Sequence, residues 1–115
     1  MPVPTPDTPR QPNILFICTD QQRWDSLGCY GNPFAQTPVI DALAADGVSF
    51  EQCYVQSPVC APSRASLVTG QYPGVHGLWA NGVSLRPGAG LVSRALAGAG
   101  YDCGMIGKKH LAACF

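Results

Sequence analysis

The sequence has little charge, and it lacks several patterns that mark common classes of protein. Charged residues make up 12% of its 115 positions, and 7 basic residues balance 7 acidic ones. A balanced chain of this kind has no broad basic surface for nucleic acid or for an anionic membrane. No apolar run reaches the roughly 18 residues that a membrane span needs, so neither nucleic acid nor a membrane is a predicted partner.

The start of the chain also lacks the apolar stretch of a secretory signal. Residues 1–12 are rich in proline, and Arg10 is their only basic residue. We therefore expect a disordered, proline-rich lead-in over this range. Without an export signal, the six cysteines are expected to be reduced thiols in a cytoplasmic protein. No two cysteines form a Cys-x-x-Cys pair, which argues against a structural zinc site.

The sequence does contain short apolar runs that alternate with helical patterns. The apolar runs at residues 14–18 and 101–106 are predicted strands, and residues 48–55 contain a short strand-like stretch. Helical patterns lie between Pro38 and Gly47, over residues 62–69, and over residues 91–99. Residues 71–90 are rich in glycine and proline and are a predicted loop. The alternation predicts an α/β fold, with a partial parallel sheet flanked by helices, in one domain over residues 13–115.

Several chemically active side chains stand at the ends of these elements. Cys60 comes just before the predicted helix at residues 62–69, where the helix dipole favours a thiolate. Arg64, one turn further on, can hold an anion. Asp20 follows the first predicted strand, which is where open α/β sheets bind ligands. From these residues alone, a buried structural thiol at Cys60 is an equally open interpretation, and a turn residue is the favoured one at Asp20.

The string Cys-Ala-Pro-Ser-Arg at residues 60–64, continued by Ala-Ser-Leu-Val-Thr-Gly, resembles the signature of the sulfatase family. Residues 13–20 resemble the first strand of that family, and residues 37–50 resemble the helix and strand before its nucleophile. Gly-Lys at residues 107–108, followed by His-Leu, is similar to the second sulfatase signature. The resemblance implies the N-terminal portion of the alkaline-phosphatase-like sulfatase fold. It also implies hydrolysis of sulfate esters as the activity.

For the nucleophile and the metal, the resemblance assigns four residues. It implies that a separate formylglycine-generating enzyme converts Cys60 to formylglycine and that Arg64 steadies the product. It implies that Asp20, the amide oxygen of Gln21 and the modified Cys60 bind a divalent cation, usually calcium. Hard cations of this kind prefer six to eight oxygen ligands, so these three residues would supply only part of the set.

For the sulfate group, the resemblance points to Lys108 and His110. Lys108 would contact the sulfate oxygens, and His110 would contact a hydroxyl of the hydrated aldehyde. One hydroxyl would attack sulfur and displace the alcohol of the ester, which leaves the sulfuryl group on the enzyme. The second hydroxyl would then lose its proton, to His110, as the aldehyde re-forms and sulfate departs. His76 is a weaker candidate for substrate contact, with an ordinary loop residue as the alternative interpretation.

The chain also departs from the family pattern. Lys109 stands where the family usually has an aromatic residue, and Ala112 stands where a glycine often follows. The sequence ends before the later metal ligands and the later His and Lys residues, so a truncated enzyme is expected. Two alternatives stay open: a phosphonate monoester or phosphodiester hydrolase of the same superfamily, and a catalytically inactive, truncated remnant.

Overall fold

The computed structural model describes residues 11–112. The chain divides into two compact units, residues 1–46 and residues 47–115. Most of the lead-in predicted over residues 1–12 lies outside the described residues. The single domain predicted over residues 13–115 stays a prediction.

The described residues 11–112 contain no strand, so the partial parallel sheet predicted from the apolar runs is not formed within them and stays a prediction. Residues 14–18, 48–55 and 101–106 have no regular secondary structure, and nearly all of them are exposed. Strands are held by ladders of hydrogen bonds to neighbouring strands, so an apolar run alone cannot form one. Within the described part of the chain, these three runs do not supply such ladders to each other.

The first unit contains one α-helix and two short 3₁₀ helices. The 3₁₀ helices are Trp24–Ser26 and Gly28–Tyr30, and α1 is Pro38–Asp46. The predicted helix between Pro38 and Gly47 is thereby confirmed. The backbone oxygen of Thr37 accepts the first helical hydrogen bond, from the Asp41 nitrogen at 2.9 Å.

Asp41 ties the start of α1 to the second 3₁₀ helix. Its carboxylate accepts hydrogen bonds from the Cys29 backbone nitrogen at 2.7 Å and from the Thr37 hydroxyl at 2.9 Å. Gly28 lies against the same carboxylate, and a Cβ added there would be 2.6 Å from an Asp41 oxygen. The close approach therefore needs glycine at position 28.

An exposed ion pair lies at the first 3₁₀ helix. The Arg23 Nε donates to an Asp25 oxygen at 2.8 Å, and a second guanidinium nitrogen contacts the other oxygen. This hydrogen bonding holds the pKa of Asp25 below its usual range. The pair's contribution to folding is therefore complete above the usual carboxyl pKa and is lost as the pH falls through the lowered value.

The second unit contains three α-helices: α2 is Cys60–Thr69, α3 is Pro73–His76 and α4 is Val92–Gly98. Its small core consists of Ala61, Ala65 and Leu78, each at most 1% exposed. The helices predicted at residues 62–69 and 91–99 are confirmed, although α2 begins two residues early. Helix α3 lies inside the predicted loop. Among the described residues, no helix combines the length and the apolar character needed to cross a membrane.

Candidate functional site

Cys60 was predicted to lie just before the first turn of its helix. In the structure it is the first residue of α2. Val59 precedes it with an extended backbone, and the Ser63 nitrogen donates to the Val59 oxygen at 3.0 Å to close the first turn. The Cys60 side chain is a partly buried free thiol. It therefore lies at the positive end of the helix dipole, which favours negative charge.

Asn81 contacts this end of α2, and the sequence analysis missed it. Its side-chain oxygen accepts a hydrogen bond from the Ala61 backbone nitrogen at 3.1 Å. The same oxygen accepts from the Cys60 sulfur at 3.4 Å. The sequence signal was the Asn-Gly pair at residues 81–82, which indicates a tight turn. That pair could not show which helix the turn would meet.

Arg64 connects α2 to the segment that carries Lys108. Its side chain is partly buried, and its Nη1 donates to the Lys108 backbone oxygen at 3.1 Å. The structure therefore places the Arg64 side chain against the Lys108 backbone, and both are predicted site residues. Lys108 itself is exposed, and Gly107 before it has a φ of 97°, which favours glycine.

His110 lines a shallow hollow of about 410 Å³ together with three cationic side chains, Arg86, Arg94 and Lys109. Its ring is half-buried, and its Nδ1 has no hydrogen-bond partner among residues 11–112. Its backbone has a φ of 51°, an uncommon value for a residue with a side chain. Within the described chain, Cys60 and Arg64 are not part of the lining of this hollow.

His76 lies inside the second unit and is 2% exposed. The Leu78 backbone nitrogen donates to its Nδ1 at 3.1 Å, so that nitrogen is the unprotonated one. Its Nε2 then carries the hydrogen and donates to the Ser66 hydroxyl, 3.0 Å away. The Nε2 contact joins α3 to α2, and the Nδ1 contact holds the turn after α3, so both ring nitrogens have partners inside the unit, which favours a structural role. Substrate contact by His76 stays a prediction.

The two remaining predicted metal ligands, Asp20 and Gln21, belong to the first unit. Both are exposed, and Gln21 has a φ of 55°. Among residues 11–112, no three His, Cys, Asp or Glu side chains come together as a group that could hold a metal ion. The described residues alone do not fit a calcium site, because such a site needs six to eight oxygen ligands.

A cysteine that begins a helix, with an arginine one turn later, combines a helix N-terminus that favours anions with a guanidinium that can bind one. Residues 12–113 match the family model described as Sulfatase, and the chain belongs to the sulfatase family. Membership implies the α/β fold of that family.

Individual relatives give the same result. The chain is 40% identical to a steryl-sulfatase of Mus musculus over 96% of its own length. It is 44% identical to arylsulfatase A of Homo sapiens over 89% of its length, and 40% identical to an ulvan-active sulfatase of Formosa agariphila over 88%. These matches cover 19%, 21% and 20% of the relatives. The chain therefore spans about a fifth of the length of the curated relatives it matches.

Proposed function

We propose that this chain supplies the nucleophile-bearing part of a sulfuric ester hydrolase. The observation that carries the proposal is the position of Cys60 at the start of α2, within a sequence that belongs to the sulfatase family. The hydrogen bond from Arg64 to the Lys108 backbone supports it, because it joins the two segments that the sulfatase resemblance singles out. The substrate class is a sulfate ester, as in the names of the relatives.

In this proposal each described residue has a limited task. The N-terminal end of α2 and the guanidinium of Arg64 offset the charge of the sulfate group. The ammonium of Lys108 contacts the sulfate oxygens, and the imidazole of His110 holds or moves a proton. Formylglycine at Cys60, made by a separate generating enzyme, supplies a hydroxyl nucleophile and a route for sulfate release.

The same proposal includes the sheet that residues 11–112 do not form. Residues 14–18 and 101–106 have the apolar composition of buried parallel strands, and the family fold is α/β. We assign these runs to the sheet of the family fold, where neighbouring strands complete their hydrogen-bond ladders.

The proposal is tested by co-expressing the chain with a formylglycine-generating enzyme and analysing the peptide that contains Cys60 by mass spectrometry. We expect the aldehyde at Cys60 and intact thiols at Cys53 and Cys103, which serve as controls in the same digest. Arg64→Ala should reduce the conversion, because the generating enzyme reads Cys-x-Pro-x-Arg. A Cys60 peptide that keeps its thiol in every preparation would contradict the proposal.

The chemistry of the ester is tested separately, on preparations that carry the aldehyde. Release of sulfate from an aryl sulfate should exceed hydrolysis of an aryl phosphodiester at equal concentration. The reverse order would favour a phosphodiester hydrolase. No turnover of either ester, with the aldehyde present, would favour a catalytically inactive chain. Cys60→Ala is the matched control, because it removes the nucleophile and keeps the helix.

A further inference from the structure

We infer that Asn81 is a positioning residue for Cys60, holding both the first turn of α2 and the cysteine side chain through one amide oxygen. The inference deepens the proposed function and rests on it only for the role that it gives to Cys60. The geometric part, in which Asn81 caps the helix, stands on the described contacts alone.

The first reason is that α2 has no capping side chain of its own. The first backbone N–H groups of a helix have no partner inside the helix and must find one elsewhere. Val59, at the N-cap position, has an apolar side chain and forms no capping hydrogen bond. The Val59 backbone N–H donates to the Ser57 hydroxyl oxygen at 3.2 Å. Pro62 has no backbone N–H and therefore needs no acceptor. The Ala61 backbone N–H donates to the side-chain oxygen of Asn81 at 3.1 Å.

The second reason is that the same oxygen meets the reactive side chain. The Cys60 sulfur donates to the Asn81 Oδ1 at 3.4 Å, and a carbonyl oxygen has lone pairs for two donors. One side chain therefore limits the rotation of the Cys60 side chain and fixes the turn from which it projects. A hydroxyl at the same position, as in the hydrated aldehyde, would find the same acceptor.

The third reason is that burial does not explain the position of Asn81. Asn81 is an exposed residue, and Gly82 after it turns the chain with a φ of 86°. An asparagine needed only for that turn would not require its oxygen to face α2. The two contacts with residues 60 and 61 thus distinguish positioning from an ordinary turn role.

The test compares Asn81→Ala and Asn81→Asp with the unchanged chain, and it uses two readouts. Hydrogen exchange of the Ala61 amide is followed by NMR, and alkylation of Cys60 by iodoacetamide is followed by mass spectrometry of its peptide. Asn81→Ala should speed Ala61 exchange by roughly 2- to 10-fold, as expected for loss of one hydrogen bond. It should also change the rate of Cys60 alkylation. Asn81→Asp keeps an oxygen in place and should preserve Ala61 protection.

Ser57→Ala is the matched control, because it removes a side-chain acceptor from the neighbouring Val59 nitrogen and leaves Asn81 intact. Ala61 exchange should not change in that variant. If the amides of α4 also lose protection from hydrogen exchange in Asn81→Ala, the loss is not local, and Asn81→Ser is used in its place. Serine keeps a polar side chain in the turn, but its oxygen lies further from Ala61. Unchanged Ala61 exchange and Cys60 alkylation in a folded Ala or Ser variant would overturn the inference. A missing aldehyde at Cys60 would contradict only the proposed function.

Discussion

At the scale of single residues, the second unit depends on a buried polar pair beside a very small core. The His76 ring and the Ser66 hydroxyl are both buried and lie 3.0 Å apart. Their neighbours Ala61 and Ala65 have little apolar surface to contribute. A buried polar group that loses its partner costs about 1–3 kcal/mol, which is comparable to burying one large apolar side chain. The pair therefore matters as much to this unit as Leu78 does.

We expect Ser66→Ala to lower the free energy of unfolding by about 1–3 kcal/mol, because it leaves the His76 Nε2–H buried without an acceptor. Ser63→Ala is the control: it makes the same chemical change on the same helix, at a partly exposed position. It should change stability by less than about 0.5 kcal/mol. Urea unfolding followed by circular dichroism measures both. Equal effects of the two substitutions would show that the pair does not stabilise the unit.

At the scale of elements, the junction between α3 and the following loop depends on one glycine. Gly77 ends α3 with a φ of 78°, and its nitrogen donates to the Pro73 oxygen at 2.9 Å. A Cβ at this position would be 2.6 Å from the Nε of Arg86. Position 77 therefore favours glycine through its backbone angle, and a side chain there would also have to displace the flexible end of Arg86.

Gly77→Ala should destabilise the second unit by about 1–3 kcal/mol, because alanine is strained at this backbone angle and its methyl group meets Arg86. Gly74→Ala provides the comparison, since a Cβ at Gly74 would have nothing within 4 Å. Alanine is also the better helix former there, so no loss of stability is expected. Thermal unfolding of the two variants measures the difference. A Gly77→Ala variant as stable as Gly74→Ala would contradict the description of this junction.

The elements also show how far the sequence could predict the structure. Helices α1 and α4 follow from local signals, namely Thr-Pro at residues 37–38 and apolar spacing near a terminal glycine. Helix α3 has such signals too, with Pro73 at its start and Gly77 at its end, but the density of glycine and proline hid it. Strands and the Asn81 contact depend on partners far along the chain, and no local pattern identifies a partner.

At the scale of the whole molecule, the residues that local patterns assigned to a sheet form an exposed apolar run. Leu15 is 84% exposed and Ile17 is 73% exposed, with Ile14 and Phe16 between 59% and 65%. Four consecutive apolar side chains in water are a site for pairing with another chain. Because residues 11–112 form no sheet that would cover this run, its exposure affects how the chain behaves in solution.

We expect the isolated chain to self-associate as its concentration rises, through pairing of the run at residues 14–17 with a second copy. Leu15→Lys together with Ile17→Lys should shift the mass toward the monomer, because charge on an edge opposes pairing. Val75→Lys and Val92→Lys together form the control, since they place the same charges at exposed valines elsewhere. Light scattering coupled to size-exclusion chromatography measures the mass. An unchanged monomer for the original chain at all concentrations would contradict this expectation.

The cap on α2 also has a consequence for the time course of folding. Asn81 is 21 positions beyond Cys60, so the cap can form only after a loop of that length has closed. At a synthesis rate of about 5–20 residues per second, a ribosome adds Asn81 roughly one to four seconds after Cys60. The same delay separates the emergence of the two residues from the ribosome, so the segment around the cysteine is first exposed as uncapped chain. An enzyme that binds this segment in an extended form would therefore meet it before the amide oxygen of Asn81 is available to cap α2.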